Sequence, residues 1–399
     1  MTTEPGTLSR AGLHRVLVVL CTTEIVSWGV LYYAFPVLAP SIAADTGWSI
    51  SAITAAFSTG LLVAAVAGIP AGHLLDRVGP RPIMTVGSVL AGPALVGIAT
   101  APSLPWFFAA WVLAGIAQAG TLYPPAFAAL TRWWGPRRVT ALTALTLLAG
   151  LASTIFAPVT AALLERFGWR HTYLVLAVVL AAATVPAHLF GLRGPWPEHS
   201  GPARAADRDP GAIVRSRSFL LLLAALGLSS FTAFAVVVNQ VPLLIERGMS
   251  TTAAAWALGL GGLGQVLGRF CYGRLAAATG VRARSVLVLA SIAATTALLA
   301  ALPGPAGLLV AAAMLAGAAR GIFTLLQATA VSDRWGAAHY GRLNGLVSAP
   351  AMVATALAPW AGAALAELLG GYPPVFAGLA VLAAVAAVLV AGSVPRRHA

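Results

Sequence analysis

This 399-residue chain has no lysine, and charge of either sign is scarce: charged residues make up 9% of it. Soluble domains carry about 25%, so a water-facing globular surface is excluded. Cysteine is nearly absent too. Cys21 and Cys271 are the only two, each inside an apolar stretch, and they provide neither a disulfide framework nor metal-ligand spacing. Without lysine there is no Gly-Lys-Ser/Thr phosphate loop, which excludes ATP bound in that way. His14, His73, His171, His188, His199, His339 and His398 are scattered, with no Ser/His/Asp or metal-ligand constellation. The expectation is no enzyme, no cofactor and no metal.

What the chain has in abundance is apolar sequence, 59% of all residues. Stretches long enough to cross a bilayer fall at 14–38, 50–71, 83–100, 104–130, 139–164, 170–191, 217–245, 252–276, 285–302, 306–330, 341–366 and 373–393. The first is too long for a signal-peptide core and is read as retained. The connections are short except at 192–216, which is rich in Pro, Arg and Asp. The expected fold is all-α and membrane-integral: a six-helix bundle over 1–191, a central loop over 192–216, and a second six-helix bundle over 217–399.

The net charge is +13, and all 24 basic residues are arginine. Nineteen of them fall in one set of alternate connections and tails. Three (Arg166, Arg170 and Arg247) fall in the other set, and Arg269 and Arg320 fall inside helices. By the positive-inside rule both termini are expected in the cytoplasm, with the chain spanning the plasma (inner) membrane many times. The high charge therefore reports topology, and no nucleic-acid partner is expected.

A repeat runs through the chain. Gly72, Gly79 and Arg81 recur as Gly273, Gly280 and Arg282, 201 residues later. Leu113-Ala114-Gly115 recurs as Leu315-Ala316-Gly317, Arg132-Trp133 as Arg334-Trp335, and Glu165 with Gly168 as Glu367 with Gly370, each at an offset of 202. One offset held over half the chain means two homologous halves, and in a membrane chain that is the mark of a transporter built from structural repeats.

The decapeptide Gly72-His73-Leu74-Leu75-Asp76-Arg77-Val78-Gly79-Pro80-Arg81, expected in a polar gap between helices 2 and 3, resembles the signature loop of the major facilitator superfamily. The resemblance implies two pseudo-symmetric six-helix bundles rocking about a central cavity. It also implies gating roles for Gly72, Asp76, Arg77, Gly79 and Arg81, with Asp76 pairing or capping at the cytoplasmic gate. Gly47-Trp48-Ser49, Arg132-Trp133-Trp134, Pro158, Phe167-Gly168-Trp169-Arg170 and Gly268-Arg269 resemble the monocarboxylate and oxalate/formate porter branch, which places a substrate-binding arginine at Arg269. There are departures. Gln265 stands where the mammalian-type carriers have an aspartate, helix 1 has no lysine, and 343–366 carries no basic residue.

Charge inside a membrane is costly and marks function. Glu24, Arg269 and Arg320 are the three such residues. Glu24 and Arg320 each lie about ten residues from a helix end, so about 15 Å above the cytoplasmic boundary, at midplane depth, where transporter sites lie. The repeat offset maps Arg320 onto Gln118. Arg320, Thr324 and Gln327 share one helix face; Gln265 lies with Arg269, and Asn239 and Gln240 end a polar stripe on helix 7. Together with Trp28 and Tyr123 these are the expected substrate contacts, each weighed against a purely structural role in packing, helix–helix hydrogen bonds or gate bracing. Two arginines facing one glutamate leave one positive charge for an anion to match, and Glu24 is the expected proton carrier.

The expected function is thus proton-coupled transport of a small, monocarboxylate-like organic anion by a monomer. A proton-driven exporter of a drug or amphipathic metabolite is the alternative, and a ligand sensor that moves nothing is a remoter one.

Overall fold

A computed structural model describes residues 8–196, 210–336 and 340–395. Most of the expected central loop, with Arg204, Arg208 and His199, lies outside the described residues. His339, His398, Arg396 and Arg397 do as well. The described residues are helical, without strands, and the chain divides into two compact units, Met1–Gly201 and Pro202–Ala399.

The N-terminal unit consists of α1 (Arg10–Thr46), α2 (Ile50–Val78), α3 (Pro80–Ala99), α4 (Leu104–Trp134), α5 (138–167) and α6 (169–191). The C-terminal unit consists of α7 (Arg217–Glu246), α8 (Thr251–Ala278), α9 (Val281–Ala301), α10 (Ala306–Thr329), α11 (Tyr340–Leu369) and α12 (Tyr372–Ala391). Among the described residues, ten stretches are long and apolar enough to span a membrane. One of them, Arg138–Gly191, bends at Gly168 and supplies both α5 and α6. Helix α8, with Arg269 in its interior, completes the twelve long helices among the described residues.

Helix ends follow local chemistry. Ser49 and Ser250 each accept a hydrogen bond from the backbone N–H three residues on, at the starts of α2 and α8. An N-cap of this kind is worth about 1 kcal/mol. The two caps are 201 residues apart. Positive-φ glycines repeat in the same way: Gly47 with Gly248, Gly135 with Gly336, and Gly168 with Gly370. Only glycine adopts that backbone without a Cβ penalty, so the duplication is written in the turns as well as in the helices.

Three local features depart from the sequence expectation. Helix α2 continues past residue 71 to Val78, so Gly72–Val78 is helical and the chain turns only at Gly79 (φ 83°) before Pro80. Apolar content ends there before the backbone hydrogen bonds do. Helix α4 breaks at Leu122 (φ −92°, ψ −171°) and restarts at Tyr123-Pro124-Pro125, because proline lacks the N–H that a helix interior needs but a first turn does not. Helix α1 widens into a π-turn at Gly29–Tyr33.

Within a membrane, helices associate by close packing rather than by escaping water, and the glycines show where. In the N-terminal unit a Cβ on Gly115 of α4 would stand 2.2 Å from the Gly60 carbonyl oxygen of α2. In the C-terminal unit a Cβ on Gly317 of α10 would stand 1.8 Å from the Gly261 carbonyl oxygen of α8. These are the same two repeat positions. Each unit therefore carries one seam where two parallel helices touch backbone to backbone.

Candidate substrate and gating sites

The α8–α10 seam builds the charged site of the C-terminal unit. Gly264 lies against Met314, Gly268 against Ala318 and Gly321 against the Gln265 backbone, each leaving no room for a Cβ. Held this close, Arg320 of α10 donates from Nε (3.1 Å) and Nη2 (2.9 Å) to the single Oε1 of Gln265 on α8. Arg269, one turn beyond Gln265, is 6% exposed. Further down the seam the Tyr272 hydroxyl meets Thr329 Oγ1 at 2.6 Å. Arg320 also lines a narrow cleft with Ala233, Val236, Ile292, Thr295, Thr296 and Ala316.

The other expected contacts in this unit divide. Gln327 donates to Ser230 Oγ of α7 at 2.9 Å, and Thr324 returns its hydroxyl to the Arg320 carbonyl. Asn239 Nδ2 donates to Ala235 O and across to Pro359 O of α11, the structural helix–helix role. Gln240 is buried beside it with its Nε2 unsatisfied by protein.

In the N-terminal unit Glu24 is fully buried. Neither of its oxygens has a hydrogen bond of normal geometry; its polar neighbour is Trp28, one turn along. Trp28 packs on Tyr123 (5.0 Å between centroids) and Tyr32 (5.3 Å), and Tyr123 stacks on Phe127 (4.9 Å). Gln118 donates Nε2 to the Leu31 carbonyl at 3.0 Å. Leu31 lies inside the π-turn, whose changed hydrogen-bond register leaves a carbonyl to satisfy. Gln118 thus pins the turn on which the Trp28 and Tyr32 rings are presented, and only its Oε1 is left unsatisfied.

The signature segment is held from three sides. Asp76 pairs with Arg132 at the end of α4, 2.5 Å away, whereas Arg81 donates Nε to the Leu189 carbonyl of α6 and Arg77 is exposed. The chain leaving α6 then straps the pair down. Trp196 donates Nε1 to the Asp76 carbonyl at 3.2 Å, the Arg132 guanidinium sits 4.6 Å over its ring, and Trp133 donates to the Pro195 carbonyl at 2.9 Å. His188 ties α6 to α3 through Ser88 Oγ (2.8 Å) and the Met84 carbonyl. Gly72, His73 and Asp76 line a cleft with Pro124 and Pro125 of α4.

The repeat position of Arg132 is Arg334, but the counterpart of Asp76 is Ala277. Arg334 donates instead to Ser393 Oγ (2.9 Å), Ser285 Oγ (2.9 Å) and the Ala330 carbonyl (3.1 Å). Burial is the largest influence on this guanidinium and pulls it down to about 10, with neighbouring Asp333 acting the other way; it is charged at neutral pH. Asp333 itself pairs with Arg284. At the far end of the N-terminal unit, Asp45 of α1 accepts from Trp169 Nε1 (2.9 Å) and pairs with Arg170, so Gly168-Trp169-Arg170 both turns the chain and clasps it.

Arg132, Trp196, Ser88 and His188 went unassigned from sequence. The recurrence of Arg132 as Arg334 was a usable signal. Trp196, in a Pro-rich link, offered none.

An all-helical membrane chain built from two repeated six-helix units is the architecture of a secondary carrier. The Major Facilitator Superfamily model matches residues 20–276 and again 220–399, and the chain belongs to that family. Among curated relatives, monocarboxylate transporter 11 of Homo sapiens is 33% identical over 266 residues, 61% of this chain and 51% of that one. The oxalate:formate antiporter of Oxalobacter formigenes is 26% identical over 64% of this chain and 60% of its own length. The multidrug resistance protein MdtL of Shigella flexneri serotype 5b is 32% identical over 55% and 57%. The matches thus span only about half to three-fifths of these relatives. The crystal structure of a nucleoside transporter NupG mutant matches with a TM-score of 0.75 at 16% identity, covering 94% of this chain and 98% of that one. A bacterial homologue of the lysosomal transporter Spinster matches at 0.71, also at 16%, over 97% and 96%. At that identity the structures speak for the fold alone.

Proposed function

We propose that the chain carries a small organic anion of the monocarboxylate kind across the plasma membrane by alternating access, coupled to protons. The observation that carries this is the charge of the C-terminal unit. Arg269 and Arg320 lie in its membrane interior. Its described carboxylates, Glu246, Asp333 and Glu367, all stand at helix ends or beyond them. Arginine does not escape burial by losing its proton, and a carboxylate matches its fork with two parallel hydrogen bonds. Glu24, enclosed in the N-terminal unit, is the proton carrier in this reading. The arginine distribution supports cytoplasmic termini, and the names of two matched relatives, a monocarboxylate transporter and an oxalate:formate antiporter, fit the anion.

The test is uptake of labelled lactate, pyruvate, formate and oxalate into proteoliposomes, with and without an inward proton gradient. Saturable, gradient-stimulated uptake that is lost in Arg320→Ala supports the proposal; absence of uptake for all four overturns it. A second reading, export of an amphipathic compound, is favoured by the Trp28–Tyr123–Phe127 aromatic face and by the multidrug relative. Efflux of a cationic dye that survives Arg320→Ala would select it. Counterflow in the same vesicles separates either carrier from a sensor that binds without moving its ligand.

A further inference from the structure

Resting on the organic-anion reading, we propose that Gln265 is a specificity-determining residue. It orients the Arg320 guanidinium while leaving its charge uncompensated, so that a carboxylate meets a full positive charge. A guanidinium has five N–H donors in a rigid fork. Gln265 Oε1 takes two of them, from the Nε–Nη2 edge. The amide must present its oxygen here, because its NH₂ would oppose two donors. The Nη1 pair and the second Nη2 hydrogen remain, and these form the edge that receives a carboxylate side by side.

The neutrality of Gln265 matters as much as its reach. A carboxylate in its place would make the same two contacts and cancel the charge. Within the C-terminal unit the described groups around it supply no cancelling charge either. Arg269 follows on α8, and Arg320 is the charge on α10. Helix α9 offers Thr295 and Thr296 to the cleft beside Arg320, and α7 offers Ala233 and Val236. Helix α11 has no charged residue between Leu343 and Ala366. The pair cannot drift apart, since Gly321 touches the Gln265 backbone and Gly268 touches Ala318.

The test compares Gln265→Glu with Gln265→Met in the 399-residue chain in nanodiscs, using whichever of labelled lactate, pyruvate, formate or oxalate the native chain binds best. Glu keeps the contact to Arg320 and cancels its charge; Met drops the contact and keeps the charge. Gln265→Glu is expected to weaken Kd by about tenfold or more while the unliganded Tm holds or rises, and Gln265→Met by only about threefold. A purely structural role predicts the reverse order. Met weaker than Glu, or Glu equal to the native chain, overturns the inference and leaves the anion reading intact. If Gln265→Glu does not fold, Gln265→Asp supplies the carboxylate. Failure of the native chain to bind any of the four anions overturns both readings.

Discussion

At the scale of single residues, charge is rare in the membrane interior, and each charged side chain there has its own surroundings. Glu24 stands out because its carboxyl group is enclosed, with Trp28 as its polar neighbour among the described residues of its own unit. A carboxyl group at such a place in a membrane chain marks a candidate for moving a proton. Glu24→Gln is expected to abolish stimulation by an inward proton gradient while exchange of substrate for substrate continues; gradient stimulation at the native level would refute the assignment. Asp76 is a different kind of carboxylate, half-exposed and paired with Arg132. Asp76→Asn should slow turnover severalfold and leave Kd within about twofold, since an exposed ion pair contributes only about 0.2–1 kcal/mol. A loss of binding equal to the loss of turnover would place Asp76 at the substrate instead.

At the scale of elements, the glycine seams decide the geometry. Gly317→Ala puts a methyl group 1.8 Å from the Gly261 carbonyl oxygen, and backbone cannot step aside as a flexible side chain would. Forced separation of packed elements costs about 1–3 kcal/mol, so Tm should fall and the Gln265–Arg320 contact should loosen, weakening anion binding as well. Unchanged Tm would mean the helices stand further apart than described. The strap after α6 makes a second case. Trp196→Ala removes the ring beneath Arg132 and the donor to the Asp76 carbonyl; turnover should fall as in Asp76→Asn, and the two substitutions together should do little more than either alone. Additive effects would show that the strap and the ion pair act separately.

How much of this was legible varied with the range of the interaction. The twelve spans and the offset of 201 to 202 are properties of composition and spacing, visible along the chain. The π-turn at Gly29–Tyr33 is not, and neither is its hydrogen bond from Gln118, which arrives from another helix. The partner of Asp76 lies 56 residues away and has no local period. The continuation of α2 to Val78 escaped because apolar content, not hydrogen bonding, marks spans in a sequence. Arg320 with Thr324 and Gln327, and Gln265 with Arg269, were readable as two polar faces because rare charge in an apolar segment is conspicuous; the fork between Arg320 and Gln265 was not, since nothing in spacing says which side chains meet.

At the scale of the whole molecule, orientation follows from where arginine is tolerated. A reporter that fluoresces only in the cytoplasm, fused after Ala399, should be bright, and one active only outside should be silent; the opposite pattern would invert the proposed topology. The two units share their turns and seams but not the fastening at the arginine that both inherit. One unit holds Arg132 with a half-exposed carboxylate; the other holds Arg334 with buried hydroxyl groups from Ser285 and Ser393. Dissolved ions weaken attraction between exposed charges over a Debye length of about 10 Å at 0.1 M, yet they barely affect an enclosed hydroxyl. Ionic strength therefore acts unequally on the two inherited arginines: added salt is expected to loosen the Arg132 fastening and to leave the Arg334 fastening nearly unchanged.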